Sequence, residues 1–199
     1  MAQGLASTGV YLIQTFFGIY IFLVMLRFLM QVSRADYYNP LCQGIVKITD
    51  PAIRPFRPLL PTVYGVDFAT LGVAFVIQMI ALSLIILVSG SNFPLFSPLY
   101  IAWALLALFS IIFKIYFFAL IIMVISSWLA PHSSHPALTL VNQIVEPICQ
   151  PARKLLPPMG GIDFSIILVF VVINVIENIL VIPPLKAMLQ VPANMILGL

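Results

Sequence analysis

The sequence predicts an all-α integral membrane protein: four transmembrane helices in two parallel two-helix repeats, with proline-rich cytosolic loops and short interfacial amphipathic helices. Three observations predict this class. Of 199 residues, 62% are hydrophobic and 8% charged, against about 25% charged in a soluble domain, and mean hydropathy is +1.15. Four apolar stretches are long enough to cross a ~30 Å hydrocarbon layer as helices. The two halves also repeat each other at an offset of 96 residues. So much apolar surface is ill-suited to water, and four or five spans of ~20 residues leave no room for a soluble catalytic domain.

The first repeat covers residues 1–98, with spans at about 10–30 and 68–89. The second covers 99–199, with spans at about 103–128 and 164–182. A helix in each satisfies its own backbone in hydrocarbon. The opening MAQGLASTGV has neither a basic n-region nor a small-residue cleavage site, so the first span reads as an uncleaved anchor. In the third apolar stretch, Trp103 and Trp128 are 25 residues apart, ~38 Å along a helix and close to the spacing of two membrane interfaces. That favours one span preceded by a short interfacial piece from Leu99. The apolar tail after Pro183-Pro184 is interrupted by Pro192 and reads as interfacial.

Charge sets the orientation. Arg27, Arg34, Lys47, Arg54 and Arg57 flank the first loop, and Arg153 and Lys154 the second. The opposite side carries only Lys186, a bias of seven to one with Lys114 inside a span. The positive-inside rule then places both loops in the cytosol and both termini outside. Cys42 and Cys149 fall on the cytosolic side, where thiols stay reduced. Two cysteines are too few for a disulfide framework, and they read as small buried hydrophobes.

The repeat needs no gaps. Pro40, Pro51, Pro55 and Pro61 match Pro136, Pro147, Pro151 and Pro157; Arg57 matches Arg153; Gly65-x-Asp67-Phe68 matches Gly161-x-Asp163-Phe164; Asp50 and Glu146 match in charge. Two spans per unit insert both copies in the same sense, related by an axis along the membrane normal. These motifs resemble the YggT family: Asn39-Pro40, the segment Asp50-Pro51-x-x-x-Pro55-x-Arg57-x-x-x-Pro61, Gly65-x-Asp67-Phe68 and their second copies. The resemblance covers nearly the whole chain. It implies a bacterial inner-membrane protein related to plastid membrane proteins, in a family for which no common catalytic activity is established. It links the chain to salt or osmotic tolerance and, in plastids, to cytochrome maturation and nucleoid distribution. The second copy departs from the first where Lys154 replaces Pro58 and His135 replaces Asn39.

Within the loops, Leu41, Ile45 and Ile48 share a helical face, as do Leu138, Val141, Ile144, Val145 and Ile148. Pro40 and Pro136 suit a first turn, and Pro51 and Pro147 place the helix ends just before them. The run holding Pro51, Pro55, Pro58 and Pro61 is expected to be stiff and partly extended, with Gly65 and Gly161 permitting a tight turn. Asp67 and Asp163 stand where an N-cap carboxylate takes free backbone N–H groups. Arg57 and Arg153 each precede their aspartate by ten residues. A salt bridge to that aspartate, a lipid phosphate or a soluble anion are the three roles open to them.

Inside the membrane, Lys114 and Glu177 reach similar depth on spans running opposite ways, so they are expected to pair. Asn174, Glu177 and Asn178 share a face at i, i+3 and i+4, and Gln78 is the repeat equivalent of Asn174. Together they predict a polar seam facing the bundle interior. It reads either as an ion or proton path or as a fixed ion pair with amide bonds joining helices. The second reading is favoured, because Gly18 and Ala81 stand in the first repeat where Lys114 and Glu177 stand in the second.

His132 and His135 lie in a Ser/Pro-rich turn without a carboxylate or thiol pattern, so no metal or cofactor is expected. The metalloprotease, nucleophile-elbow and nucleotide motifs are absent, and the basic surface is small for nucleic acid. The expectation is a non-enzymatic protein supporting ion or osmotic homeostasis. The alternative is a scaffold or assembly factor recruiting partners through its loops. Membrane lipids, other membrane proteins and a second copy of the chain are the expected partners.

Overall fold

Residues whose apolar side chains face every direction form helices that satisfy their own hydrogen bonds, and four such helices dominate the structure. A computed structural model of the chain describes residues 2–63, 65–90, 97–129, 133–156 and 163–191. Helix α1 spans Ala2–Val32, α2 Pro40–Ile53, α3 Phe68–Ser89, α4 Leu99–Leu129, α5 Pro136–Leu155, α6 Phe164–Val175 and α7 Ile182–Met188. Strands β1 (Thr62–Val63) and β2 (Val66–Asp67) pair antiparallel just before α3. The segments Gly4–Val32, Phe68–Ser89, Leu99–Leu129 and Ser165–Met188 are long and apolar enough to cross a membrane.

Helix α3 has the bounds expected from the sequence, and the other three long helices differ. Helix α1 begins eight residues before Val10. Helix α4 runs without a break from Leu99, so the expected short interfacial piece is part of the span. Trp103 lies not at an interface but in the bundle, 1% exposed, its indole N–H donating to the Leu189 carbonyl at 2.9 Å. That bond ties the start of α4 to the end of α7, while Trp128 at the other end is 79% exposed. The fourth span continues past Ile182. A π-helical stretch, Ile176–Val181, widens the backbone so that the Ile182 N–H bonds the Glu177 carbonyl five residues back. Pro183 and Pro184 then sit in the first turn of α7, where missing donors cost least.

The prolines of the connectors also break less helix than expected. Pro51 lies within α2, and Pro147 and Pro151 lie within α5. All three are on the exposed side, where carbonyls deprived of a partner can turn to solvent and a helix can bend convexly outward. After α2 the chain is not an extended run. It makes a 3-10 turn, Arg54–Phe56, and then the β1–β2 hairpin. Gly65, at φ +84°, supplies the left-handed residue that hairpin needs. Gly161, Pro157, Pro192 and His132 lie outside the described residues.

The core divides in three. The largest part joins α1 (Ile21, Val24, Met25), α3 (Ala69, Val73, Ala74) and α4 (Leu108, Ile111), and reaches Leu140 and Ile144 of α5. A second gathers Ala119, Leu120, Val145, Cys149 and Ile166 within the second repeat. A third holds Tyr100, Trp103 and Ala107 against Leu82 and Ile86. The first connector is pinned to its span at Gly72, where an added Cβ would stand 2.7 Å from Leu60 Cδ1.

Candidate functional site

The connectors α2 and α5 each begin on a side-chain cap. The Asn39 side chain accepts from the Leu41 N–H at 2.9 Å, and His135 Nδ1 accepts from the Ala137 N–H at 3.2 Å. Asn39 also donates across the repeats, from Nδ2 to the Pro136 carbonyl at 2.7 Å. The Asp36 N–H donates to Gln143 Oε1 at 3.0 Å. The two connectors therefore meet at one end of the bundle as a single surface. Cys42 and Cys149 are buried beneath it as free thiols.

Beneath each connector lies an ion-pair cluster, and the two differ. In the first repeat Arg27 of α1 is 2% exposed. It donates to Thr49 Oγ1 at 2.8 Å, to Asp50 Oδ1 at 2.9 Å and to the Val46 carbonyl at 3.3 Å. Arg57 reaches the same Asp50 oxygen at 3.2 Å from an exposed position. Asp67, to which the ten-residue spacing pointed, caps α3 instead. It is buried and accepts from the Ala69 and Thr70 N–H groups at 3.0 and 3.3 Å and from the Thr70 hydroxyl at 2.7 Å. In the second repeat Arg153 does bridge its partner ten residues on, Nε to Asp163 Oδ2 at 2.8 Å. It also grips both Glu146 oxygens through Nη1 at 2.8 Å. Asp163 caps α6, accepting from the Ser165 N–H at 3.0 Å and from the Ser165 hydroxyl.

These contacts move the titrations. The Arg27 hydrogen bond, followed by the charges of Arg57 and Arg54, holds the Asp50 carboxyl below the usual range. Burial works to raise Asp163, but hydrogen bonds from Ser165 and Arg153 outweigh it and hold it low as well. Asp163 and Glu146 push the Arg153 guanidinium still higher. Burial raises Cys42 and takes the Cys149 thiol up to about 11.

The expected polar seam is divided between an inner and an outer part. Gln78 and Glu177 are buried at 0% and 7% exposure. Glu177 accepts from the Ser110 hydroxyl at 3.5 Å. Lys114 is on the exposed side of α4, where its charge acts on Glu177 together with that of Lys186. Asn178 is exposed and donates to Asn174 Oδ1 at 2.9 Å, so these two do not face the interior beside Glu177. Consecutive helical residues point about 100° apart, so Glu177 is covered while Asn178 beside it, in the same π-helical stretch Ile176–Val181, is not.

Sequence reasoning treated Arg27 only as a marker of orientation and passed over Thr49, Ser110 and the pairing of Asp50 and Glu146. The repeat carried a signal for Arg27, because Met123 is its equivalent 96 residues on, and an unmatched charge inside an apolar span calls for a partner. Among the described residues, no group of three or more His, Cys, Asp or Glu side chains is placed to hold a metal ion.

Four apolar spans and two connector clusters define the class: a multi-pass helical membrane protein made of two similar halves. The sequence pattern of the CCB3/YggT family matches residues 6–88 and again residues 102–184, and the chain belongs to that family. It is 42% identical over 192 residues to an uncharacterized Pseudomonas aeruginosa protein, covering 96% of this chain and 97% of the relative. It is 34% identical over 193 residues to the uncharacterized protein YggT of Escherichia coli K12, covering 96% of each. A Vibrio alginolyticus relative is 37% identical over 161 residues, 81% of this chain and 86% of that one. No solved structure matches.

Proposed function

We propose that this chain is a non-enzymatic scaffold of the bacterial inner membrane, whose two connectors form one rigid recognition platform on the cytosolic face. The observation that carries this reading is the joining of α2 to α5 through Asn39 and Pro136 at 2.7 Å. Conduction gives no reason to tie two loops together outside the spans, whereas presentation of a fixed surface does. The seven-to-one bias of Lys and Arg supports the cytosolic side. On that side Tyr38 is 89% exposed and Leu59 75% exposed, and Arg54 and Lys154 add positive charge at the membrane surface, where anionic lipid is attracted.

A second reading, support of ion or osmotic balance by conduction, draws on the buried Ser110–Glu177 contact and the buried Gln78. The two readings separate in one pair of measurements. Purified protein in sealed liposomes is expected to pass cations no faster than empty liposomes. Photo-crosslinking in intact cells from position 38 is expected to give a discrete adduct with another membrane protein, lost when Asn39→Ala unties the connectors. Cation flux that Glu177→Gln alters, with no adduct from position 38, would replace the scaffold by the conductor.

A further inference from the structure

The second repeat contains a cavity where the first repeat is filled. Its volume is about 230 Å³, and Met123, Ser126, Ser127, Ser133, Asn142 and Asp163 are among the residues lining it. Ninety-six residues earlier stand Arg27, Met30, Gln31, Tyr37, Val46 and Asp67. Three large side chains are thus replaced by three serines, and the arginine by a methionine. In the first repeat Met30 and Arg27 are 0% and 2% exposed, and the Arg27 guanidinium donates to the Val46 carbonyl, the backbone equivalent of Asn142. The scaffold has been duplicated, but its internal guanidinium has not.

The charges tell the same story. In the first cluster two arginines, Arg27 and Arg57, bridge one carboxylate, Asp50. In the second, a single arginine, Arg153, bridges two carboxylates, Glu146 and Asp163. Among the described residues no Lys or Arg lines the cavity, and Lys154 follows Arg153 on the exposed side of α5.

The cavity is well supplied with acceptors. The Ser126 hydroxyl proton is committed to the Met123 carbonyl at 2.9 Å and that of Ser127 to the Val124 carbonyl at 2.7 Å. Ser133 Oγ accepts from the His135 N–H at 3.3 Å. A hydroxyl that has given its proton keeps a lone pair to accept with, and the ionised Asp163 has only acceptors. A cation bearing N–H donors would find hydroxyl, amide and carboxylate oxygens there. The volume is below the usual range for drug-sized ligands, about 300–1,000 Å³, and suits a molecule of a few heavy atoms.

We infer that the cavity between α4, α5 and Asp163 binds a small monovalent organic cation, a guanidinium or primary ammonium group, in the place that the Arg27 side chain fills in the first repeat. The site needs no knowledge of the platform's partner, so the inference stands apart from the scaffold reading.

The test is binding of methylguanidinium chloride to the purified full-length protein in detergent, read by calorimetry and by the shift in melting temperature. Tetramethylammonium chloride, which has no N–H donor, and potassium chloride serve as controls at matched ionic strength. The expected result is a saturable response to methylguanidinium alone. Met123→Arg should supply the missing guanidinium from within, raising the melting temperature without ligand and lowering methylguanidinium affinity at least tenfold, about 1.4 kcal/mol. Should Met123→Arg fold poorly, Asn142→Leu with Ser127→Ala is expected to weaken binding by the same order while leaving the melting temperature near that of the parent. No response to methylguanidinium, an equal response to tetramethylammonium or potassium, or undiminished binding in a folded cavity variant would overturn the inference.

Discussion

The two repeats share their order of span, connector helix and span but not their charge network. In the first, Asp50 is held by a buried arginine rising from the span α1, with Arg57 as an exposed second partner. In the second, Glu146 is held from within its own helix by Arg153, which also reaches down to the cap of the next span. The first connector is thus fastened to the span before it and the second to the span after it. Duplicated prolines, glycines and capping aspartates reproduce a fold because they act on local backbone angles and donors. Ion pairs depend on which long side chain arrives, and one exchange, Arg27 for Met123, is enough to redirect them.

The sharpest way to break this comparison is to make the first repeat resemble the second. Arg27→Met removes the buried partner of Asp50 and Thr49. Breaking a fully buried pair costs about 3–5 kcal/mol; because Asp50 is partly exposed and retains Arg57, the expected loss is about 2–3 kcal/mol. Chemical or thermal denaturation in detergent, followed by tryptophan fluorescence, measures it. Arg27→Ala should in addition be partly rescued by methylguanidinium, whereas Arg27→Met, which refills the space, should not.

Next in size is the contrast between the matched arginines. Arg153→Ala severs Glu146 and Asp163 together at a half-buried position, for an expected loss of about 1–2 kcal/mol. Arg57→Ala breaks one exposed bridge and should cost about 0.5 kcal/mol or less. Equal losses in the two denaturation curves would show that the clusters are equivalent after all. The caps give a smaller contrast of the same kind. Asn39→Ala loses a cap and the bond to Pro136, about 1–2 kcal/mol, while His135→Ala loses a longer cap bond alone, below about 1 kcal/mol.

Acid should act on both repeats. Asp50 and Asp163 are each held below the ordinary aspartate value of about 3.9, so the unfolded chain takes up protons first as pH falls. Their contribution to stability is complete at neutral pH and is lost below about pH 4, as pH descends through the folded values. Melting curves at pH 7 and pH 3 should show the decline, and Arg27→Met should diminish the part due to Asp50. The smallest expected signal is thiol reactivity. With Cys149 pushed up to about 11 by burial and Cys42 also raised, a membrane-permeant maleimide at pH 8 should label neither in the folded protein and both after SDS denaturation. Rapid labelling of Cys149 alone would mean that the second connector opens more readily than the first.

The sequence by itself determined the four spans, the duplication, the caps at Asp67 and Asp163 and the hairpin glycine at Gly65. Each of these is written in composition, in a fixed spacing or in a residue's own backbone preference, and so is visible without knowing what lies opposite. Only the tertiary structure decided that Arg27, not Asp67, anchors the first connector, that Trp103 is buried against α7, and that Asn178 turns away from Glu177. Those outcomes depend on the distance between elements far apart in the chain and on which side of each helix is covered. A periodicity counted at 3.6 residues per turn carries neither. The prolines of α2 and α5 lie between the two cases. Their identity announced a break, but their place on the exposed side let each helix bend and continue.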